Sequence, residues 1–131
     1  IPSLIETLSK NKHNEYPQNI FEIGTIFKIG DSETGIIEND RLAIALCHSK
    51  ANFTEIKQIL DSLLANLELK YEIKEIEHSS FIPGRCGRIS INNKNLAYIG
   101  EIYPKVLENW NLEMPVTVLE LNLTELFNLI E

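Results

Sequence analysis

The chain has 131 residues, of which 44% are hydrophobic and 24% charged, a composition typical of a soluble globular domain with one core. The formal net charge is -7 and the basic residues never form a run of four, which disfavours nonspecific binding to a nucleic-acid backbone. No apolar stretch approaches the ~20 residues of a membrane span, and the N-terminus lacks the pattern of a signal peptide. Because the chain begins at Ile1 and not at methionine, we expect it to be part of a longer protein.

The N-terminal residues predict a helix and then a long strand. Ser3 and Glu6 have the spacing of a capping box, in which the hydroxyl and the carboxylate satisfy the first free amides of a helix. We expect this helix to end near His13. Apolar residues then alternate over residues 20–29, and this period of two indicates a strand.

A turn, a second strand and the clearest helix of the chain follow. Residues 30–35 have turn chemistry, and residues 41–47 form a nearly continuous apolar run, which predicts a strand in the interior of a sheet. Asn52 and Glu55 repeat the capping spacing. Apolar residues recur at helical spacing over residues 53–67, so one face of this helix is expected to pack on the sheet.

Three more strands are predicted, at residues 71–77, 85–91 and 96–102. The first of them is the least apolar and is expected at a sheet edge. The asparagine-rich residues 92–95 tolerate positive φ, so they predict a hairpin between the other two strands. Gly84 and Gly87 do not lead into a helix N-terminus as a phosphate-binding loop does, and they indicate a tight strand entry or a bulge.

The last part of the chain predicts a short helix, a strand and a terminal helix. Pro104 fits the first turn of a helix that runs to Trp110. Residues 116–121 read as a strand, and Asn122 and Glu125 form a third capping pair at the start of the last helix. Hairpin-compatible strands with helices between them, but without a repeated strand-helix-strand unit, predict an α+β fold. We expect a mostly antiparallel sheet with its helices on one side.

Two cysteines and two histidines are candidates for a metal site or for nucleophilic catalysis: Cys47, His48, His78 and Cys86. Their spacing contains no close ligand pair of the kind that zinc sites use, so we expect no metal site. Both cysteines lie in apolar, strand-like stretches, where a thiol is buried and unreactive. We interpret them as reduced thiols of a cytoplasmic protein, and we expect no catalytic residues in this chain.

Three carboxylates lie in apolar strand contexts: Glu22, Glu101 and Glu120. A carboxylate in such a place has either a shifted pKa that suits acid-base chemistry or a basic partner. Pairing is the favoured interpretation. The arginines available for it are Arg41, Arg85 and Arg88.

Five segments of the chain are similar, in order, to one known family: residues 3–13, 16–24, 51–57, 80–85 and 100–107. Together they resemble the C-terminal part of the phenylalanyl-tRNA synthetase beta subunit of archaeal and eukaryotic type. The resemblance implies a class II aminoacyl-tRNA synthetase catalytic-like module, an antiparallel sheet flanked by helices, that has lost its active site. It also implies that residues 1–131 form a single partial domain without motif 1, the helix and strand used for dimer packing, which is expected before Ile1.

Motif 2 of the catalytic relatives carries a Phe-Arg-x-Glu sequence on a strand, and its arginine holds the α-phosphate of ATP. The positions that match this motif here are Phe21, Glu22 and Gly24. A carboxylate therefore stands where the guanidinium is required, and it would repel a phosphate.

Motif 3 of these relatives, Gly-x-Gly-x-Glu-Arg, falls on residues 120–125. Glu120 and Asn122 replace the two glycines that let ATP lie against the backbone, and Glu125 replaces the ATP-binding arginine. The resemblance therefore implies that this chain binds no cofactor, and that ATP and magnesium act in the parent complex.

The resemblance also places Ser80, Phe81, Arg85 and Gly100 at the vestige of an amino-acid pocket. It implies an alpha chain as the partner and contact with phenylalanine tRNA through the whole complex. Without motif 1, apolar surface is expected to be exposed, which favours self-association of the isolated chain.

The leading hypothesis is a non-catalytic structural and assembly role in the beta chain, which supports the alpha chain in ATP-dependent attachment of phenylalanine to its tRNA. The alternative is a module that binds a small ligand such as an amino acid, or a regulatory module, on a degenerate class II fold. The chain alone is expected to be inactive.

Overall fold

Four helices and six strands make up the part of the chain that the computed structural model describes, which is residues 2–10, 18–29 and 36–130, with side chains over residues 5–10, 18–25 and 40–130. The helices are α1 (Pro2–Lys10), α2 (Phe53–Asn66), α3 (Pro104–Asn109) and α4 (Leu123–Ile130). The strands are β1 (Gln18–Ile29), β2 (Ile36–Cys47), β3 (Glu72–Glu75), β4 (Phe81–Ile91), β5 (Lys94–Ile102) and β6 (Val116–Asn122). They form one antiparallel sheet in the order β1-β2-β6-β5-β4-β3.

The sheet positions predicted from apolar content are confirmed. β2 lies inside the sheet between β1 and β6, and β3 lies at an edge. The Ser3 side chain, the predicted end of the first helix near His13 and the predicted turn at residues 30–35 lie outside the described residues and side chains.

Asparagine side chains begin two of the helices, as their capping spacing predicts. Asn52 Oδ1 accepts a hydrogen bond from Glu55 N at 2.9 Å at the start of α2. Asn122 Oδ1 accepts one from Glu125 N at 3.1 Å at the start of α4. Each bond satisfies an amide that has no partner inside its own helix, and this fixes where the helix begins.

β4 is shaped by a tight turn at one end and a bulge at the other. Asn92 and Asn93 have φ angles of 52° and 66°, so the predicted hairpin closes with a two-residue turn and not with four residues. At its start, β4 reaches back to Phe81, earlier than predicted. Its register with β5 shifts between Phe81 and Cys86, where Gly84 adopts a φ of 79°, which confirms the predicted bulge.

The helices cover both faces of the sheet, which corrects the prediction that they lie on one side. α1 and α3 pack on one face, called the α1 face, through side chains such as Leu8 and Leu107. α2 and α4 pack on the opposite face, the α2 face, through side chains such as Leu60 and Leu126. The first four residues of β6 are all buried, including the polar Thr117, because helices cover both faces of this strand. None of the described helices has the length and apolarity that a membrane span requires.

Candidate functional site

One row of cross-strand partners runs across all six strands on the α1 face. In sheet order its residues are Glu22, Ala43, Glu120, Tyr98, Arg88 and Lys74. Direct cross-strand partners share a face, so the polar members of the row project to the same side of the sheet. Glu22 and Glu120 come from strands two apart, which separates their backbones by about 10 Å.

Glu120 is the centre of a polar cluster in this row. Tyr98 donates a hydroxyl hydrogen bond to Glu120 Oε2, and Arg41 Nη1 lies 3.5 Å from Glu120 Oε1. Burial, and then the hydrogen bond to Glu120, holds the pKa of Tyr98 well above its ordinary value, so the phenol remains a donor. Arg41 Nε is buried and has no hydrogen-bond partner within the described residues. The pair confirms the expectation that Glu120 has a basic partner.

Glu101 is paired on the other side of the sheet. Its side chain is nearly buried, and Oε2 lies 2.8 Å from Arg85 Nη1. Oε1 accepts a hydrogen bond from Phe53 N at 2.7 Å, at the first turn of α2. A carboxylate at the positive end of a helix is favourably placed. Glu101 therefore connects β5 to α2, and the predicted pairing with an arginine is confirmed here too.

A cavity of about 450 Å³ lies on the α1 face, between the sheet and helices α1 and α3. Its apolar lining comes from Ile5, Ile76, Phe81, Ile102, Val106 and Trp110. Its polar lining comes from His78, Ser80, Arg88 and Tyr98. The cavity therefore combines mostly apolar walls with a few polar groups, as small-molecule sites do.

Two of the four residues that the resemblance assigns to an amino-acid pocket line this cavity, and a third lies next to it. Ser80 and Phe81 line it, and Gly100 lies beneath the Phe81 ring, where a Cβ would come within 2.6 Å of Phe81 Cδ1. Arg85 does not reach the cavity, because its guanidinium lies on the α2 face. The bulge at Gly84 is the physical reason, since it resets the alternation of side chains along β4.

Sequence reasoning did not assign four other lining residues to this pocket: His78, Arg88, Tyr98 and Trp110. His78 Nδ1 accepts a hydrogen bond from Ser80 N at 3.1 Å, which fixes the orientation of the imidazole. The His78 ring packs edge-on against Phe81, with ring centroids 5.5 Å apart. The alternation of side chains along β4 could have predicted the position of Arg88. Arg88 lies two residues after the buried Cys86, so both side chains project to the same face of the sheet.

A family model described as the phenylalanyl tRNA synthetase beta chain CLM domain matches residues 1–123. The chain belongs to this family. The phenylalanine–tRNA ligase beta subunit of Thermococcus onnurineus is 53% identical over 97% of this chain, which covers 22% of that relative. The corresponding subunit of Methanocella arvoryzae is 48% identical over 96% of this chain and 23% of that relative. This CLM-domain chain thus spans less than a quarter of the length of these curated relatives.

The CLM-domain chain also resembles solved structures of a synthetase. A crystal structure of pyrrolysyl-tRNA synthetase from Desulfitobacterium hafniense matches 96% of this chain and 46% of that chain, with a TM-score of 0.74 and 18% identity. A second structure of that synthetase matches with a TM-score of 0.73 and 19% identity. At such low identity the likeness shows the fold alone, and it confirms the predicted class II catalytic-like sheet flanked by helices.

The residues that the resemblance matches to motif 2 lie on the edge strand β1 and point to both faces. Phe21 is 71% exposed on the α2 face. Glu22 and Gly24 lie on the α1 face, in register with Ala43 and Arg41. Among the described residues, a Cβ at Gly24 would meet nothing within 4 Å.

The residues that the resemblance matches to motif 3 are divided between the sheet and α4. Glu120 lies in the polar row, whereas Asn122 is committed to capping α4. Glu125 Oε2 lies 3.3 Å from Lys94 Nζ, at the hairpin between β4 and β5. The fold therefore brings Glu22 and Glu120 into one cross-strand row, whereas the Glu125 carboxylate pairs with Lys94 of the hairpin.

Both cysteines of the CLM domain are buried free thiols. Burial raises the pKa of the Cys47 thiol to about 11 and also raises the pKa of Cys86, so neither is a ready nucleophile at neutral pH. His48 Nε2 lies 2.7 Å from Glu55 Oε1. Across the part of the chain that the structure describes, no three His, Cys, Asp or Glu side chains are grouped to hold a metal ion.

Proposed function

We propose that the chain is a non-catalytic structural and assembly part of the phenylalanyl-tRNA synthetase beta chain. In this role it supports the alpha chain in ATP-dependent attachment of phenylalanine to its tRNA, and it meets the tRNA only through the whole, cytoplasmic complex. Membership of the CLM-domain family and the beta-subunit relatives support the proposal. ATP and magnesium serve the parent complex, and this chain alone is inactive.

The observation that carries the proposal is the cluster of Glu120, Tyr98 and Arg41. At a nucleotide site, the strand position of Glu120 has to let phosphates approach the backbone. Here it carries a carboxylate whose two oxygens accept a hydrogen bond from Tyr98 and pair with Arg41. Glu22 adds a second carboxylate in the same row. A triphosphate would have to displace the pair between Glu120 and Arg41, and the Glu120 carboxylate would then repel it, so binding is costly.

A calorimetric titration with magnesium-ATP tests the loss of nucleotide binding. We expect no saturable heat with this chain, and saturable heat with the alpha chain as the positive control. Micromolar binding of magnesium-ATP by this chain would overturn the non-catalytic assignment.

The assembly role is tested by mixing the chain with the purified alpha chain and following the elution volume on a sizing column. We expect co-elution of this chain, or of the full-length beta subunit that contains it. Failure of both to co-elute with the alpha chain would contradict the proposal. The titration tests the absence of nucleotide binding and the sizing column tests assembly with the alpha chain, so either part of the proposal can be contradicted without the other.

A further inference from the structure

The cavity on the α1 face is large enough for a small organic ligand, and its lining is mostly apolar with a single cationic side chain among the described residues. Its volume of about 450 Å³ lies within the range of about 300–1,000 Å³ that is usual for small-molecule sites. Aromatic and aliphatic side chains form most of its walls, with Phe81 and Trp110 as the largest. Arg88, an exposed cation, is the only charged arginine or lysine in its lining among the described residues.

Arg88 has no acidic partner among the described side chains. It forms no ion pair with any of the described side chains. Its direct partner on β3 is Lys74, which lies on the same face and likewise has no ion pair among the described residues. Like charges directly opposite one another destabilise a sheet. In a chain with a net charge of -7, two such adjacent cations favour an anion beside them.

The lining also excludes one kind of ligand. No carboxylate lines the cavity among the described residues, and the nearby Glu120 is engaged with Tyr98 and Arg41. An ammonium group brought into the cavity would therefore lose its hydration without gaining a charged partner, which is unfavourable. A ligand with a carboxylate but no ammonium group fits this lining better than a free amino acid.

We propose that the cavity binds a small monocarboxylate with an aromatic or branched aliphatic body. The carboxylate pairs with the Arg88 guanidinium, which can donate two parallel hydrogen bonds to it, and Lys74 adds favourable charge. The apolar body packs against Phe81 and Trp110. The site shares Tyr98 with the Glu120 cluster, but ligand binding there does not depend on the assembly role.

Trp110 supplies the reporter for the test, because it is the only tryptophan in the sequence and it lines the cavity. The chain is titrated with 3-phenylpropanoate, L-phenylalanine and 2-phenylethylamine, which share a phenyl group but differ in charged groups. Binding is followed by Trp110 emission and by calorimetry. We expect saturable binding of 3-phenylpropanoate, about tenfold weaker binding of L-phenylalanine and no binding of the amine.

Two variants and one control assign the binding to the cavity. Arg88→Gln should weaken binding of 3-phenylpropanoate by about tenfold or more, and Lys74→Gln should weaken it less. The matched control is Lys50→Gln, which removes a charge from an exposed residue in the turn before α2. It should leave the affinity unchanged.

The ligand comparison on the unaltered chain decides the question even where a variant folds poorly. No saturable binding of 3-phenylpropanoate would overturn the proposal, as would equal binding of the amine. If L-phenylalanine bound as tightly as 3-phenylpropanoate, the inference that the cavity has no partner for an ammonium group would be wrong. An Arg88→Gln chain that melts like the original and binds as tightly would also exclude this site.

Discussion

Gly100 determines how closely the Phe81 ring approaches the sheet at the cavity. A Cβ at this position would lie 2.6 Å from Phe81 Cδ1 and 3.1 Å from the backbone oxygen of Arg85. The ring could turn aside, but the backbone oxygen belongs to the neighbouring strand and moves only with the sheet. Gly100 is therefore required for space.

The first prediction follows from this contact. Gly100→Ala should lower the free energy of unfolding by about 1–3 kcal/mol, because a methyl group is forced into a closely packed place. Gly24→Ala is the matched control, since among the described residues a Cβ there meets nothing within 4 Å, and it should change stability by less than about 0.5 kcal/mol. Urea unfolding of the two variants measures both values. Equal losses would show that the contact between Phe81 and Gly100 is not the cause.

The candidate site could be predicted from the sequence only where the fold keeps regular alternation. Ser80 and Phe81, which the family resemblance assigns to an amino-acid pocket, line the cavity, and Gly100 lies next to the Phe81 ring. Arg85 lies on the other face because the bulge at Gly84 turns its side chain away from the cavity. Trp110 could not be assigned, because its position depends on how α3 packs over the sheet, and no local pattern encodes that packing.

At the scale of elements, Glu101 holds α2 against the sheet. Its carboxylate accepts a hydrogen bond from Phe53 N, and it pairs with Arg85, whose side chain is 60% exposed. The exposed pair contributes little on its own, since solvent screens it. The bond to the helix N-terminus is more buried, so it is the stronger of the two connections.

The second prediction separates these two contributions. Glu101→Gln should destabilise the fold by about 1–2 kcal/mol, because a neutral amide replaces a charged acceptor at the helix N-terminus. Arg85→Gln should cost less than about 1 kcal/mol, and Glu125→Gln, which removes a surface pair with Lys94, less than about 0.5 kcal/mol. Thermal melts of the three variants give the order. A larger loss for Arg85→Gln than for Glu101→Gln would reverse the interpretation.

The elements themselves could be predicted more fully than their arrangement. Asn52 and Asn122 begin helices where their side chains satisfy local amides, so sequence spacing alone locates them. The placement of helices on two faces was missed, although the apolar run at the end of β2 carried the signal. A strand with apolar residues at consecutive positions is covered on both sides, and that rule applied to β2 predicts the second helical layer.

At the scale of the whole molecule, β1 is an edge strand with an apolar surface. Phe21 and Ile23 are 71% and 62% exposed on the α2 face. None of the described helices covers either side chain, and β1 pairs only with β2 within the described sheet. A long edge with large exposed apolar groups is a surface that tends to associate with another chain.

The third prediction is that this edge drives self-association of the isolated chain. Replacing both Phe21 and Ile23 with Thr keeps strand propensity and removes apolar surface worth about 1.5–3 kcal/mol per buried side chain. Sedimentation equilibrium should show a fall of about tenfold or more in the association constant. Tyr103→Thr is the control, because Tyr103 is 41% exposed outside the sheet and its replacement should leave association unchanged. If the double variant associates as strongly as the original chain, the surface lies elsewhere, and α4, with Phe127 and Ile130 exposed, is the next element to alter.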